Sequence, residues 1–134
     1  MVKITNKPLS PEAVVNQAKT SDSGCVATYV GLIRDNSRGK RVRSVEYCDV
    51  DGKSEERLEA IAQEIKRDFP VNSVVIYHRS GVLKVGDINL VVAVGAAHRG
   101  EGLAAVGRTV DLFKEKLPTT KKETYVDGTT FEGH

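Results

Sequence analysis

Apolar positions recur along the chain at two periods, and the changes between them mark the elements. From Ser54 to Phe69, Leu58, Ile61, Ala62, Ile65 and Phe69 fall on one stripe at helical spacing. Ser54 reads as the cap of this helix, Glu55 and Glu56 suit its first turn, and Pro70 marks its end. A second stripe, Leu103, Val106, Val110, Phe113 and Leu117, predicts a helix over 103–117 closed by Pro118. Gly100-Glu101-Gly102 is a poor helix former, which predicts a late start there. A shorter helix is expected from Ser10 to about Lys19. Ser10 is a capping residue, Pro11 suits the first turn, and Leu9 and Val14 stand where a hydrophobic staple forms.

Other stretches read as strands. Cys25 to Ile33 is rich in β-formers, and in Val42 to Val50 the residues Val45 and Tyr47 alternate with Glu46 and Cys48. These two are expected to form a hairpin across the polar loop 34–43. Val74 to Arg79 and Ile88 to Ala97 are also strands, with Gly81 and Gly86-Asp87 as turns between them. The run Leu90 to Val94 is apolar on both faces, which places it centrally in a sheet. Glu123 to Val126 and Thr129 to Phe131 flank Asp127-Gly128, a hairpin signal. The resulting order, α-β-β-α-β-β-α-β-β, predicts a single α+β domain over 1–134 with helices packed on a mainly antiparallel sheet.

Composition narrows the class. The 134 residues are 40% apolar and 28% charged, which suits one folded core. No apolar run approaches the roughly 20 residues of a membrane helix, and residues 1–15 lack the apolar stretch of a secretion signal. Cys25 and Cys48 are too few and too far apart for a disulfide scaffold or a zinc site. A cytoplasmic protein with no metal, no cofactor and no membrane partner is expected. A net charge of +2 and 5% aromatic residues argue against nucleic acid as the partner.

The distribution of charge says more than its sum. Arg34, Arg38, Lys40, Arg41 and Arg43 crowd one loop beside a single acid, Asp35. Lys114, Lys116, Lys121 and Lys122 surround the end of the third helix. His98-Arg99 stands where a buried strand meets a helix start, whose free N–H groups favour an anion. Each feature has a plainer reading. Basic loops are commonly just solvated, and lysines near a helix C-terminus complement its dipole. His78, mid-strand between Tyr77 and Arg79, reads as structural, and His134 is given no role. Neither cysteine has the cationic or helix-start surroundings of a reactive thiol. No nucleophile elbow, metal-spaced histidine pair or phosphate-binding glycine loop is present. The remaining chemistry is a set of cations suited to binding an anion and moving protons on it.

The segment Gly24 to Asn36 (GCVATYVGLIRDN), Val45-Glu46-Tyr47, His78-Arg79-Ser80-Gly81-Val82-Leu83, Ala97-His98-Arg99 and Lys114…Pro118…Lys121-Lys122-Glu123 together resemble the large subunit of molybdopterin synthase. The match runs in order over roughly residues 24 to 131. It implies a hammerhead-like α/β arrangement and an enzyme that converts cyclic pyranopterin monophosphate into molybdopterin. The sulfur would come from the thiocarboxylated C-terminus of a small ubiquitin-like partner subunit. Two large subunits would form a central homodimer, with a small subunit at each end of a heterotetramer. By the same resemblance, Arg34, His98 and Arg99 bind the substrate and its phosphate, and Lys114 meets the partner's C-terminus. Lys121 is the second essential lysine, and Lys116, Lys122 and Arg38 are supporting residues. The expected arrangement is an anion held by Arg34, His98 and Arg99 with Lys114 nearby. The chain departs from the family at Thr119-Thr120, where relatives usually carry an apolar residue and tryptophan. Two alternatives remain open at this point: an inactive family member, and a phosphate- or RNA-binding module using the 34–43 loop.

Overall fold

The computed structural model describes residues 1–133, so His134 lies outside the described residues. The chain runs β1 (Val2–Thr5), α1 (Pro11–Ala18), β2 (Cys25–Leu32), β3 (Asn36–Ser37), β4 (Lys40–Cys48) and α2 (Ser54–Asp68). It continues through β5 (Ser73–Arg79), β6 (Gly81–Lys84), β7 (Ile88–Ala96), α3 (Arg99–Glu115), β8 (Thr120–Tyr125) and β9 (Thr130–Glu132).

The continuous apolar run of β7 lies inside a four-stranded sheet of order β1-β5-β7-β2, as its pattern requires. Its side chains alternate between two layers. Leu90, Val92 and Val94 pack with α2 and α3 through Leu58, Ile61, Ile65, Leu112 and Phe113. Val91 and Ala93 pack on the other face with Leu9, Val14 and Ala18 around α1. The second sheet runs β3-β4-β8-β9, with β6 paired to β4, around Val42, Val45, Tyr47, Leu83 and Tyr125. Every pairing is antiparallel except β1 with β5. The α+β class and the mainly antiparallel pairing are therefore as expected.

Several expectations are corrected. The strands β2 and β4 do not form a hairpin with each other. The first pairs with β7, the second with β6 and β8, and they belong to different sheets. The polar loop holds a tight hairpin instead, β3 against the start of β4, turned by Arg38 and Gly39 at φ 55° and 75°. Ser54 is not the cap of α2. Lys53 occupies that position, and the Asp49 carboxylate accepts the Ser54 N–H at 3.1 Å. The third helix starts at Arg99, not Leu103, and its buried stripe runs through Gly102, Ala105, Val106, Thr109, Leu112 and Phe113. Leu103 is left 61% exposed. Gly102 is buried in that first turn, beside Ala27, Ala96 and Cys25 of the sheet. The strands β1 and β6 were not foreseen, each being four residues long.

Candidate active site

A cleft of about 680 Å³ opens where the end of the first sheet, the last turn of α3 and the inner face of the second sheet meet. Among its lining residues are Arg34, Tyr47, Asn89, Lys114, Lys121 and Glu123. Strand alternation explains two of these. In the β4–β8 ladder Lys121 stands opposite Tyr47 and Glu123 opposite Val45, whereas Lys122 stands opposite Glu46. Lys121 and Glu123 thus share the inward face with Tyr47 and Val45, and Lys122 points the other way. Lys114 sits in the last turn of α3, where the helix dipole favours a cation. Arg34 stands two residues past the end of β2 and its bulge.

Among the described residues, Arg34, Lys114 and Lys121 make no ion pair with a protein carboxylate. Glu123 is only 6% exposed, and its Oε1 accepts from Ser37 Oγ at 3.0 Å and from the Tyr125 hydroxyl at 3.1 Å. The Tyr47 hydroxyl accepts from Asn89 Nδ2 at 3.1 Å. Burial pushes the Tyr47 phenol above its ordinary value, against the Asn89 hydrogen bond, and the Glu123 charge adds to the rise. Asn89 is passed over in the β2–β7 register, where Gly31 meets Leu90 and Leu32 meets Ile88. Its Oδ1 is buried without a hydrogen-bond partner. The roles of Tyr47, Asn89 and Glu123 in the cleft were not visible in the sequence, because three separate strands carry them. The cysteines do not line the cleft. It can therefore hold anions and steady developing negative charge, but it offers no thiol nucleophile.

The expectation of one anion held by Arg34, His98 and Arg99 with Lys114 nearby is not met within a single chain. Cys25 pairs with Ala96 and Leu32 with Ile88, so His98 and Arg34 lie beyond opposite ends of the β2–β7 pair. That strand length is about 23 Å. Likewise, α3 separates Arg99 from Lys114 by about 22 Å. His98 and Arg99 are exposed at the start of α3, outside the cleft. The three supporting residues also lie outside its lining. Arg38 stacks over the Phe131 ring at 3.4 Å, and Lys116 reaches Glu64 at 3.5 Å on the surface. As expected, His78 is a core residue.

Comparison with known proteins decides the family. The model of the family described as "MoaE protein" matches residues 4–116. The chain belongs to the MoaE protein family. The molybdopterin synthase catalytic subunit of Homo sapiens is 31% identical over 134 residues, which is 100% of this chain and 71% of that protein. The catalytic subunit from a Nostoc species is 39% identical over 128 residues, covering 95% of this chain and 78% of that one. Both alignments are long enough to extend past residue 116, where the family model ends and before Lys121 is reached. The crystal structure of molybdopterin synthase from Staphylococcus aureus superposes with a TM-score of 0.89 at 29% identity, covering 98% of this chain and 96% of that chain. The resemblance read from the residues thus names the right family. This MoaE chain is a sulfur-transferring enzyme of molybdopterin synthesis, and neither alternative reading is favoured.

Proposed function

We propose that the cleft is where sulfur passes from a small ubiquitin-like subunit, thiocarboxylated at its C-terminus, to cyclic pyranopterin monophosphate, forming the dithiolene of molybdopterin. The observation that carries this reading is the convergence of three cations that have no counter-ion among the described residues, Arg34, Lys114 and Lys121, on one cleft that lacks a thiol. A reaction whose donor and substrate are both anions needs such charge. A donor that brings its own sulfur needs no cysteine in the acceptor subunit. Lys114 orients the thiocarboxylate and steadies charge on its carbonyl as sulfur attacks. Lys121 donates a proton or acts as a second electrostatic clamp, and Arg34 holds the substrate's negative groups.

His98 and Arg99 enter this reading from a second copy of the chain. They lie at the far end of α3, so in a homodimer one protomer's His98-Arg99 edge would complete its partner's cleft and receive the phosphate. With one small subunit per cleft the assembly is a heterotetramer, acting in the cytoplasm.

The test is conversion of cyclic pyranopterin monophosphate by the large subunit reconstituted with a thiocarboxylated small subunit. Lys114→Ala is expected to lower turnover by about 10²–10³-fold, as loss of an oxyanion donor does. Wild-type turnover in Lys114→Ala, or no conversion by the wild-type assembly, overturns the reading.

A further inference from the structure

His78 is a buried titratable group that no step above uses. It lies fully buried in β5. Its Nδ1 is 2.9 Å from the backbone oxygen of Asn89, and its Nε2 is 2.9 Å from Thr119 Oγ1. A carbonyl oxygen only accepts, so Nδ1 carries the proton and donates it. Nε2 then holds a lone pair and accepts from the Thr119 hydroxyl. Burial pushes His78 down to about 4, which keeps this neutral tautomer in place at physiological pH. Two aromatic rings meet the imidazole edge to face, Tyr47 at 4.8 Å and Phe113 at 4.9 Å.

Three of these neighbours adjoin a cleft lysine. Phe113 immediately precedes Lys114 in α3. Tyr47 is the cross-strand partner of Lys121. Thr119 stands two residues before Lys121, at the entry to β8. The turn between the lysines is also gripped from α2. Arg57 Nε donates to the Pro118 oxygen at 2.9 Å, and Ser54 Oγ lies 2.8 Å from the same atom. The backbone that joins the two lysines is therefore tied to the core, where Leu117 also packs, and the Thr119–His78 bond is its only side-chain hydrogen bond to the first sheet among the described residues.

We propose that Thr119 and His78 are positioning residues of the cleft: their hydrogen bond sets where β8 begins and so holds Lys121 in register against Lys114. This rests on the assignment of both lysines to the cleft chemistry. A hydroxyl at position 119 supplies direction, where an apolar side chain would supply packing alone.

Thr119→Val keeps the side-chain shape and removes the donor, whereas Thr119→Ser keeps the donor. Both are assayed in the two-subunit enzyme. Both are also examined by NMR after reductive ¹³C-methylation of the lysines, a readout independent of turnover. For Thr119→Val the expectation is a cooperative melt, a kcat lowered by about tenfold or more, and a KM for the pterin within about twofold. The dimethyl-Lys121 resonance shifts while that of Lys116 stays in place. Thr119→Ser is expected to restore kcat to within about twofold and the Lys121 resonance to its wild-type position. A Thr119→Val enzyme with wild-type kcat and an unmoved Lys121 resonance overturns the proposal. If Thr119→Val does not fold, Thr119→Cys, a poorer donor, is read by the same two measurements against the same expectations. Lys121→Ala in parallel separates the two failures. If it retains wild-type turnover, the lysine assignment falls and the positioning role with it. If it loses turnover while Thr119→Val does not, only the positioning role falls.

Discussion

Lys121 and Tyr47 face each other across the β4–β8 ladder, on the inward face of the second sheet. That register separates two adjacent lysines that look equivalent in the sequence. Lys121→Ala is expected to lower turnover by about 10²–10³-fold, whereas Lys122→Ala, on the outward face, stays within about twofold. Steady-state assays of the two variants, each with the thiocarboxylated partner, check this. Equal losses would contradict the facing described above.

Arg34 is an exposed cation at the mouth of the cleft. Arg34→Ala is expected to raise the KM for the pterin monophosphate about tenfold or more and to change kcat less. The wild-type KM should rise with ionic strength, and the variant's less steeply, since screening acts on the charge that has been removed. A salt series on both proteins measures this.

The distance along α3 between Arg99 and Lys114 makes subunit complementation a direct test of a shared site. His98→Ala and Lys121→Ala homodimers should each be poorly active. In a refolded equimolar mixture half the dimers are mixed, and each mixed dimer has one intact site. About a quarter of wild-type activity should return. A mixture no more active than its components would place His98 and Lys121 in separate functions.

His78 gives stability a pH dependence whose sign is fixed by its burial. The native imidazole resists protonation down to about 4, while in the unfolded chain it takes a proton near the ordinary 6.5. Between those values the unfolded state binds more protons, so stability falls as pH drops from about 6.5 to 4 and is flat above. The full loss from this group is about 3 kcal/mol. Urea denaturation of the wild type at several pH values between 4 and 8 reads it. A stability that did not change through this window would show that His78 titrates normally.

Much of the architecture was legible because it depends on short-range pattern. The apolar stripe Leu58, Ile61, Ala62, Ile65 can be buried only as one face of a helix, and it forms α2. Ser10 and Pro11 mark the start of α1, where Ser10 Oγ accepts the Ala13 N–H at 3.2 Å. The two-sided apolar run of β7 could be satisfied only between neighbours. Arg34, Lys114 and Lys121 lay within two basic clusters of nine residues, and the family resemblance, carried by collinear motifs, singled them out.

What the pattern could not supply was decided by pairing across the chain. A four-residue strand such as β1 or β6 has too little periodicity to be recognised and exists because β5 or β4 offers an open edge. The polar loop after Arg34 gave no sign that β2 and β4 would part into different sheets, since strand propensity does not choose a partner. Gly102 reads as a helix breaker until the sheet beneath it is known, and there it is buried in the first turn of α3 beside Ala27 and Ala96. The same limit applies to the site. The resemblance nominated Arg34, His98 and Arg99 for one anion, with Lys114 nearby. Only the rigid lengths of β2 and α3 show that a single chain gathers Arg34, Lys114 and Lys121, and holds His98 and Arg99 at the opposite end.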